Sequence, residues 1–422
     1  MLDTLRNPGF RYLLAGNLIS NLGSWLLVVA VPYHVFQLTG SAAATGLTVA
    51  AESVPALLAG PFAGVLVDRW DRRAVMIITD LVAAVALIGI PLADRPGRIG
   101  FLYGAVALEN LALVFVRPAG RALLPAVVGT GPALADANSL IAVNNGVVRL
   151  AGPPLGALLL TWLGLPALVS CDLASYVVAA VAIGLIRTAA PGTARPRLAG
   201  GFGFVHRQMR GLLLVSFTFW AANSVFSALL IPFMTVRFGH HPGTIGVQMS
   251  ALGAGYLVGG PVGGRLVRDR PPAVPLALGL AGVGACFTVL ANAPNAATAV
   301  LATGLAGLPG SLLLVTVETT IQRTTPGPLR GRVGAVFFAS DAAATLVGAL
   351  VGAGFGGRLT LVLTIAAGVI VATSGLSHWA VRSGQESDPN SAVTFFVGEP
   401  AGQRRATGSA KKSSRNPGIC GR

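Results

Sequence analysis

Long apolar runs broken by short polar clusters set the pattern of this chain. From Tyr12 past His34 there is no Asp, Glu, Lys or Arg, and runs of similar length recur to the vicinity of Arg382. A helix needs about 20 mostly apolar residues to cross the hydrocarbon of a bilayer. On that measure the runs predict twelve spans, at 12–37, 44–67, 74–93, 99–123, 139–163, 166–187, 211–236, 243–267, 273–292, 296–320, 333–354 and 359–381. The first run exceeds the roughly 7–15 apolar residues of a cleavable leader, so it is expected to stay as a helix. Gly and Pro recur inside the runs, as membrane helices tolerate.

Composition agrees. Hydrophobic residues make up 53% of the 422, charged residues only 11%, and mean hydropathy is +0.72. The expected fold class is an all-α polytopic membrane protein with two six-helix bundles. A net charge of +15 suggests nucleic acid in a soluble protein. Here the basic residues form short clusters between apolar runs, without interleaved aromatics, and membrane topology explains them better. With the N-terminus inside, all but four of the 30 Lys and Arg fall on the cytoplasmic side or, for Arg149, within a span. The four are Arg95, Arg98, Arg237 and Arg358. The positive-inside rule then puts both termini in the cytoplasm of a multi-pass cell-membrane protein. Cys171, Cys286 and Cys420 are widely spaced and show no metal-ligand or disulfide pattern.

An internal repeat adds organisation. At an offset of 200 residues, Pro32 matches Pro232, Gly46 matches Gly246, and Gly60-Pro61 matches Gly260-Pro261. Gly64, Leu66 and Val67 match Gly264, Leu266 and Val267, and Gly152 matches Gly352. Two parallel halves follow: a bundle at 1–187, a basic Pro/Gly-rich linker at 188–210, a second bundle at 211–382 and a polar, disordered tail at 383–422. Parallel repeats are a transporter design in which substrate sits between the halves near mid-membrane.

The charge is densest just after span 2, where five of the six residues from Asp68 to Arg73 are charged. Gly64-Val-Leu-Val-Asp68-Arg69-Trp70-Asp71-Arg72-Arg73 resembles the G-x-x-x-D-R-x-G-R-R signature of the major facilitator superfamily, with Asp71 in place of Gly. The DRWDRR form is similar to that of its drug:proton antiporter branch, which includes macrolide and siderophore exporters. Gly152-Pro153-Pro154-Leu155-Gly156 partly resembles the helix 5 G-P-x-x-G-G element associated with exporters, with Ala157 replacing the last Gly. The resemblance covers about residues 5–382. It implies that Gly64, Asp68, Arg69, Asp71, Arg72 and Arg73 form a conformational latch at the cytoplasmic face; anchoring the loop inside is the plainer role of its arginines.

Ionisable residues inside spans are functional candidates because a charge in hydrocarbon is costly. Glu52, Glu109 and Arg149 all fall about 12–15 Å into their predicted helices, near mid-membrane. Glu109 and Arg149 could pair, and protonation of the carboxylate would then release the arginine. A fixed structural pair is equally consistent. Asp172 lies nearer the outer surface, within reach of water, and is expected, with Asp80, Glu318 and Asp341, to serve interhelical contacts. Amide and aromatic residues suited to an amphiphilic substrate are Asn17, Asn21 and Trp25 on span 1, Asn144 and Asn145 on span 5, and Trp220, Asn223 and Phe226 on span 7. Helix packing through polar contacts is the competing reading for each. Gly152-Pro153-Pro154 is expected to bend span 5 before Gly156, as a rigid kink or as a hinge.

There is no phosphate-binding G-x-x-x-x-G-K-S/T, no nucleophile elbow and no paired metal ligands; His240-His241 is weak metal evidence. No cofactor, no metal and no enzymatic activity are expected. The reading is a proton-coupled exporter of small amphiphilic molecules, working by alternating access and as a monomer. A lipid or metabolite transporter of the same fold is the alternative. A membrane-embedded sensor or enzyme would need an output domain or a convergent reactive set, and neither is evident.

Overall fold

Asn7 and Gly40 delimit the first long helix by ordinary capping chemistry. The Asn7 side chain accepts from the Phe10 amide at 3.2 Å, and Gly40 ends the helix in the left-handed region at φ +61°. The computed structural model describes residues 2–67, 69–93, 96–129, 132–187, 209–239, 242–325 and 329–385. Among them the secondary structure is helical throughout, with no strand.

The long helices are α1 (Pro8–Thr39), α2 (Ala42–Val67), α3 (Arg72–Leu87) and α4 (Ile99–Val128). The segment Pro132–Gly184 breaks at Gly164, whose φ of +74° only glycine adopts without strain. The break separates α5 (132–163) from α6 (165–184). The second half contributes α7 (Arg210–Phe238), α8 (Pro242–Asp269), α9 (Ala273–Ala291), α10 (Ala296–Thr324), α11 (Arg330–Gly354) and α12 (Leu359–Gln385). Ten segments meet the length and hydropathy of a span, with α5 and α6 counted together. Pro242–Asp269 is long enough, but is not one of the ten; it carries Gln248, Ser250 and charges at its end. Most of the proposed linker and tail lies outside the described residues, as do His240 and His241.

The packing follows the repeat. In the first half α1 packs on the α5–α6 segment, α4 on α2 and α3, and α3 on α6. In the second half α7 packs on α11 and α12, α10 on α8 and α9, and α9 on α12. The halves meet chiefly through α2 against α11 and α5 against α8, two pairings that a two-fold axis exchanges. Side chains such as Leu58, Phe62, Val85, Trp162, Val236 and Leu301 are exposed on the outside, as a lipid-facing surface requires.

Both described chain ends lie at what we term the basic end, where the Arg-rich connections also fall; the opposite end is the far end. Val29 and Phe36 of α1 and Ala157 of α5 belong to the same buried core as the second half, and all three sit toward the far end. The core nearer the basic end, around Phe10, Met76, Leu123 and Ile183, is built from the first half alone. Contacts between halves reach as far as Gly60 against Phe338 and Gly146 against Leu257. Beyond them, Gly64, Gly264 and Gly334 face open space. Among the described residues, the contacts seen across the seam lie at mid-depth and toward the far end.

Candidate functional site

Polar residues gather at mid-depth along α1, in two groups on its two sides. On one side Glu109 of α4, only 8% exposed, accepts a 2.8 Å hydrogen bond from the Tyr176 hydroxyl of α6. That hydroxyl is also 2.9 Å from Ser24 Oγ of α1. One turn before Tyr176 on the same face, Asp172 is fully buried and accepts from Ser175 Oγ at 3.0 Å. Its Oδ2 has no hydrogen-bond partner among the described residues. Gly23 makes room for it: a Cβ there would collide with the Asp172 carboxylate and Ser175 Oγ. Glu52 of α2 is half-buried and within electrostatic range of Glu109, as Asp172 is. Three carboxylates from α2, α4 and α6 thus converge, and among the described residues none forms an ion pair with Arg or Lys.

On the other side of α1 stands Arg149. Its guanidinium carbon is 5.6 Å from the Trp25 ring of α1 and 4.7 Å from the Tyr256 ring of α8. Both are cation–π distances, and the second reaches across the seam. Arg149 is exposed although it lies midway along the bundle, and Arg117 of α4 stands within electrostatic range of it. Toward the basic end, Asn21 donates to Asn145 Oδ1 at 3.4 Å, and Asn144 donates to Asn17 Oδ1 at 2.9 Å. Gly152 and Gly156 let α5 approach α1: a Cβ on Gly152 would lie 2.5 Å from Trp25 Cβ, and one on Gly156 would strike the Leu26 carbonyl. The backbone stays helical through Gly152-Pro153-Pro154, and the turn into α6 falls at Gly164.

Several expectations change. Glu109 and Arg149 do not pair; the first is held by Tyr176 and the second lies between two rings. Asp172 is not within reach of water, because α1 closes over it. Phe226 does not line a cavity: it is 1% exposed and stacks on Phe287 at 5.1 Å. Trp220 is half-buried, edge-on to Phe219 at 5.6 Å, and Asn223 is half-buried beside it on α7. Asp341 does make an interhelical bond, accepting from Ser216 at 2.7 Å. Tyr176 and Tyr256 give little signal in the sequence, because aromatic residues in apolar helices ordinarily fill cores. The spacing of Tyr176 four residues after Asp172 was the available signal.

The charged segment after α2 is only partly described. Asp68 lies outside the described residues. Gly64 lies in the last turn of α2, where an added Cβ would meet nothing within 4 Å, and Arg69 is exposed. Asp71 caps α3, its Oδ1 accepting from the Arg73 amide at 3.0 Å. Arg72 donates to the Ala122 carbonyl of α4 at 3.3 Å, and Arg73 donates to the Gly184 carbonyl at the end of α6. These arginines tie three helices of one half together, Arg73 at a carbonyl of the helix C-terminus, where helical partners run out.

Comparison with known proteins places this architecture. The family described as transmembrane secretion effector, MFS_3, matches residues 1–398. The multidrug efflux pump Tap of Mycolicibacterium fortuitum is 26% identical over 357 residues, covering 79% of this chain and 85% of Tap. The enterobactin exporter EntS of Escherichia coli O1:K1 / APEC is 24% identical over 375 residues, covering 86% of this chain and 88% of EntS. Among solved structures, the nucleoside transporter NupG superposes with a TM-score of 0.73 at 11% identity, over 88% of this chain and 99% of its own. The peptide transporter POT in complex with alafosfalin gives 0.71 at 15%, over 89% and 95%. The two half-bundles, the seam between them and the match along nearly the whole chain lead to one assignment: the protein belongs to the transmembrane secretion effector family of major facilitator superfamily transporters.

Proposed function

We propose that this transporter exports small amphiphilic molecules in exchange for protons, by rocking its halves about the mid-depth polar groups. The observation that carries the reading is the seam itself, packed toward the far end, with amides, Trp25, exposed Arg149 and Tyr256 along it at mid-depth. By the positive-inside rule the basic end is cytoplasmic, so a state opened at that end takes substrate from inside. The Tap and EntS relatives are named as efflux proteins, which supports the outward direction. Drug-like or siderophore-like amphiphiles are the proposed cargo.

Glu109, Glu52 and Asp172 are the proposed proton carriers. A lone carboxylate buried in a low-dielectric bundle is costly when ionised and far less so when protonated. The Gly64–Arg73 segment is the proposed latch: it follows the end of α2 that would approach α11 when the basic end closes. Asp71 to Arg73 hold that segment rigidly to their own half.

The test is reconstitution in liposomes with a proton-sensitive dye inside and a panel of amphiphiles added. Substrate-driven proton movement is expected, with loss in Glu109→Gln. Absence of proton movement across the panel, with transport unchanged in Glu52→Gln and Glu109→Gln, would overturn the coupling. Movement of fluorescent phospholipid in the same liposomes would favour a lipid transporter instead.

A further inference from the structure

We infer that Arg149 anchors an oxyanion on the transported molecule, so that the preferred substrates are organic anions carrying a flat ring beside the charge. The inference deepens the export reading above and rests on it for the word substrate.

Arg149, Trp25 and Tyr256 all lie near the middle of their helices, so the guanidinium sits near mid-membrane. An arginine there is ordinarily paired with a carboxylate or with backbone carbonyls. Among the described residues this guanidinium makes no hydrogen bond and no ion pair; its neighbours are two rings. Another cation, Arg117, lies within electrostatic range of it and of Arg121 as well. Of the carboxylates at similar depth, Glu109 is held by Tyr176 and Asp172 by Ser175 across α1, and the charge within electrostatic range of Glu52 is Glu109, not Arg149. A cation in this setting without an anion is tolerable only where water reaches it, and Arg149 is indeed exposed.

Rings at cation–π distance hold the flat guanidinium while its five N–H donors point outward in its own plane. That donor fork matches the two oxygens of a carboxylate. A second arginine adds positive potential, and the ring faces of Trp25 and Tyr256 suit an aromatic body. The Asn21–Asn145 pair supplies amide groups toward the basic end. Trp25 and Arg149 belong to one half and Tyr256 to the other, so an anion seated here competes with a contact that bridges the seam. Occupancy and the position of the halves are thereby linked.

The test uses the full chain in detergent with no proton gradient. Saturable binding of radiolabelled 1-naphthoate is compared with that of its neutral analogue, 1-naphthalenemethanol. Naphthoate is expected to bind about tenfold to a hundredfold more tightly, the range of a charge-assisted hydrogen-bond pair. Arg149→Gln should erase the preference, and Arg149→Lys should keep part of it, since a point charge lacks the planar fork. The thermal transition of each variant verifies that it is folded. Should the variants fail to fold, the comparison in the wild-type chain decides alone. Equal affinity for the two ligands, no saturable binding of the anion, or a preference that survives in folded Arg149→Gln would overturn the inference. Amphiphile-driven proton flux without an anion preference leaves export standing and removes the anion site. An anion preference without proton flux does the reverse.

Discussion

Gly46 and Gly246, 200 residues apart, seal the same end of the molecule from opposite sides of its two-fold axis. A Cβ on Gly46 of α2 would lie 2.9 Å from Ala353 Cβ of α11, and one on Gly246 of α8 would lie 2.6 Å from Ala157 Cβ of α5. Gly246 also faces the Pro153 carbonyl, and residue 153 is the repeat counterpart of Ala353. Both seals depend on backbones close enough to exclude a side chain. Gly46→Leu and Gly246→Leu are therefore expected to wedge the far end apart, each costing about 1–3 kcal/mol of stability as overpacking does. Gly64→Leu and Gly264→Leu enter open space in this state and should leave the thermal transition nearly unchanged. Melting of the four purified variants checks this; equal losses in all four would refute the two-fold seal.

Asp71 departs from the superfamily pattern and has a local task of its own. Its carboxylate caps α3 through the Arg73 amide. Asp71→Ala should cost about 1 kcal/mol of stability, and Asp71→Ser should restore most of it, because a serine hydroxyl caps as well. If Asp71 instead works as a charged latch, Asp71→Ser will melt normally yet transport poorly. Thermal unfolding and transport measured on the same two variants separate the roles.

The helices were legible in the sequence because length and hydropathy alone decide them: 211–236 was expected against Arg210–Phe238, and 296–320 against Ala296–Thr324. The repeat was legible too, since glycines at a seam are needed twice. What each side chain faces was not. Asn223 and Phe226 share a helical face by spacing, yet Phe226 stacks in the core on Phe287, because α9 lies against that face. The depth of Asp172 along its helix suggested water; its burial depends on α1 passing at Gly23, a contact between residues about 150 apart. The charge of Arg149 marks it in the sequence, but its partners Trp25 and Tyr256 come from two other helices, one in each half.

Tyr176 joins α6 to both α4 and α1 through one oxygen. Tyr176→Phe keeps the ring and removes the only hydrogen bond seen at the Glu109 carboxylate among the described residues. The expected cost is about 1–3 kcal/mol, the price of a buried polar group left without its partner. Combining it with Glu109→Leu, which removes the stranded group, should cost less than the sum of the single changes. A double-mutant cycle on thermal stability in detergent measures this, and simple additivity would show that the bond contributes nothing.

Asp172 offers the sharpest separation between stability and function. It is fully buried, it has one bonded oxygen and one without a partner, and no cation pairs with it among the described residues. An ionised carboxylate in such a place destabilises the fold, and an amide of the same shape does not. Asp172→Asn can still accept from Ser175 through its carbonyl oxygen. A purely structural Asp172 predicts a variant that is no less stable and transports normally. A proton carrier predicts equal or higher stability with substrate-driven proton movement lost, because an amide holds the position but cannot release a proton. We expect the second outcome. Melting of Asp172→Asn beside the wild type, with proton flux and substrate flux recorded in the same liposomes, decides between them. Substrate flux that persists while proton movement stops would place Asp172 in the coupling path itself, and unchanged flux of both would return it to packing.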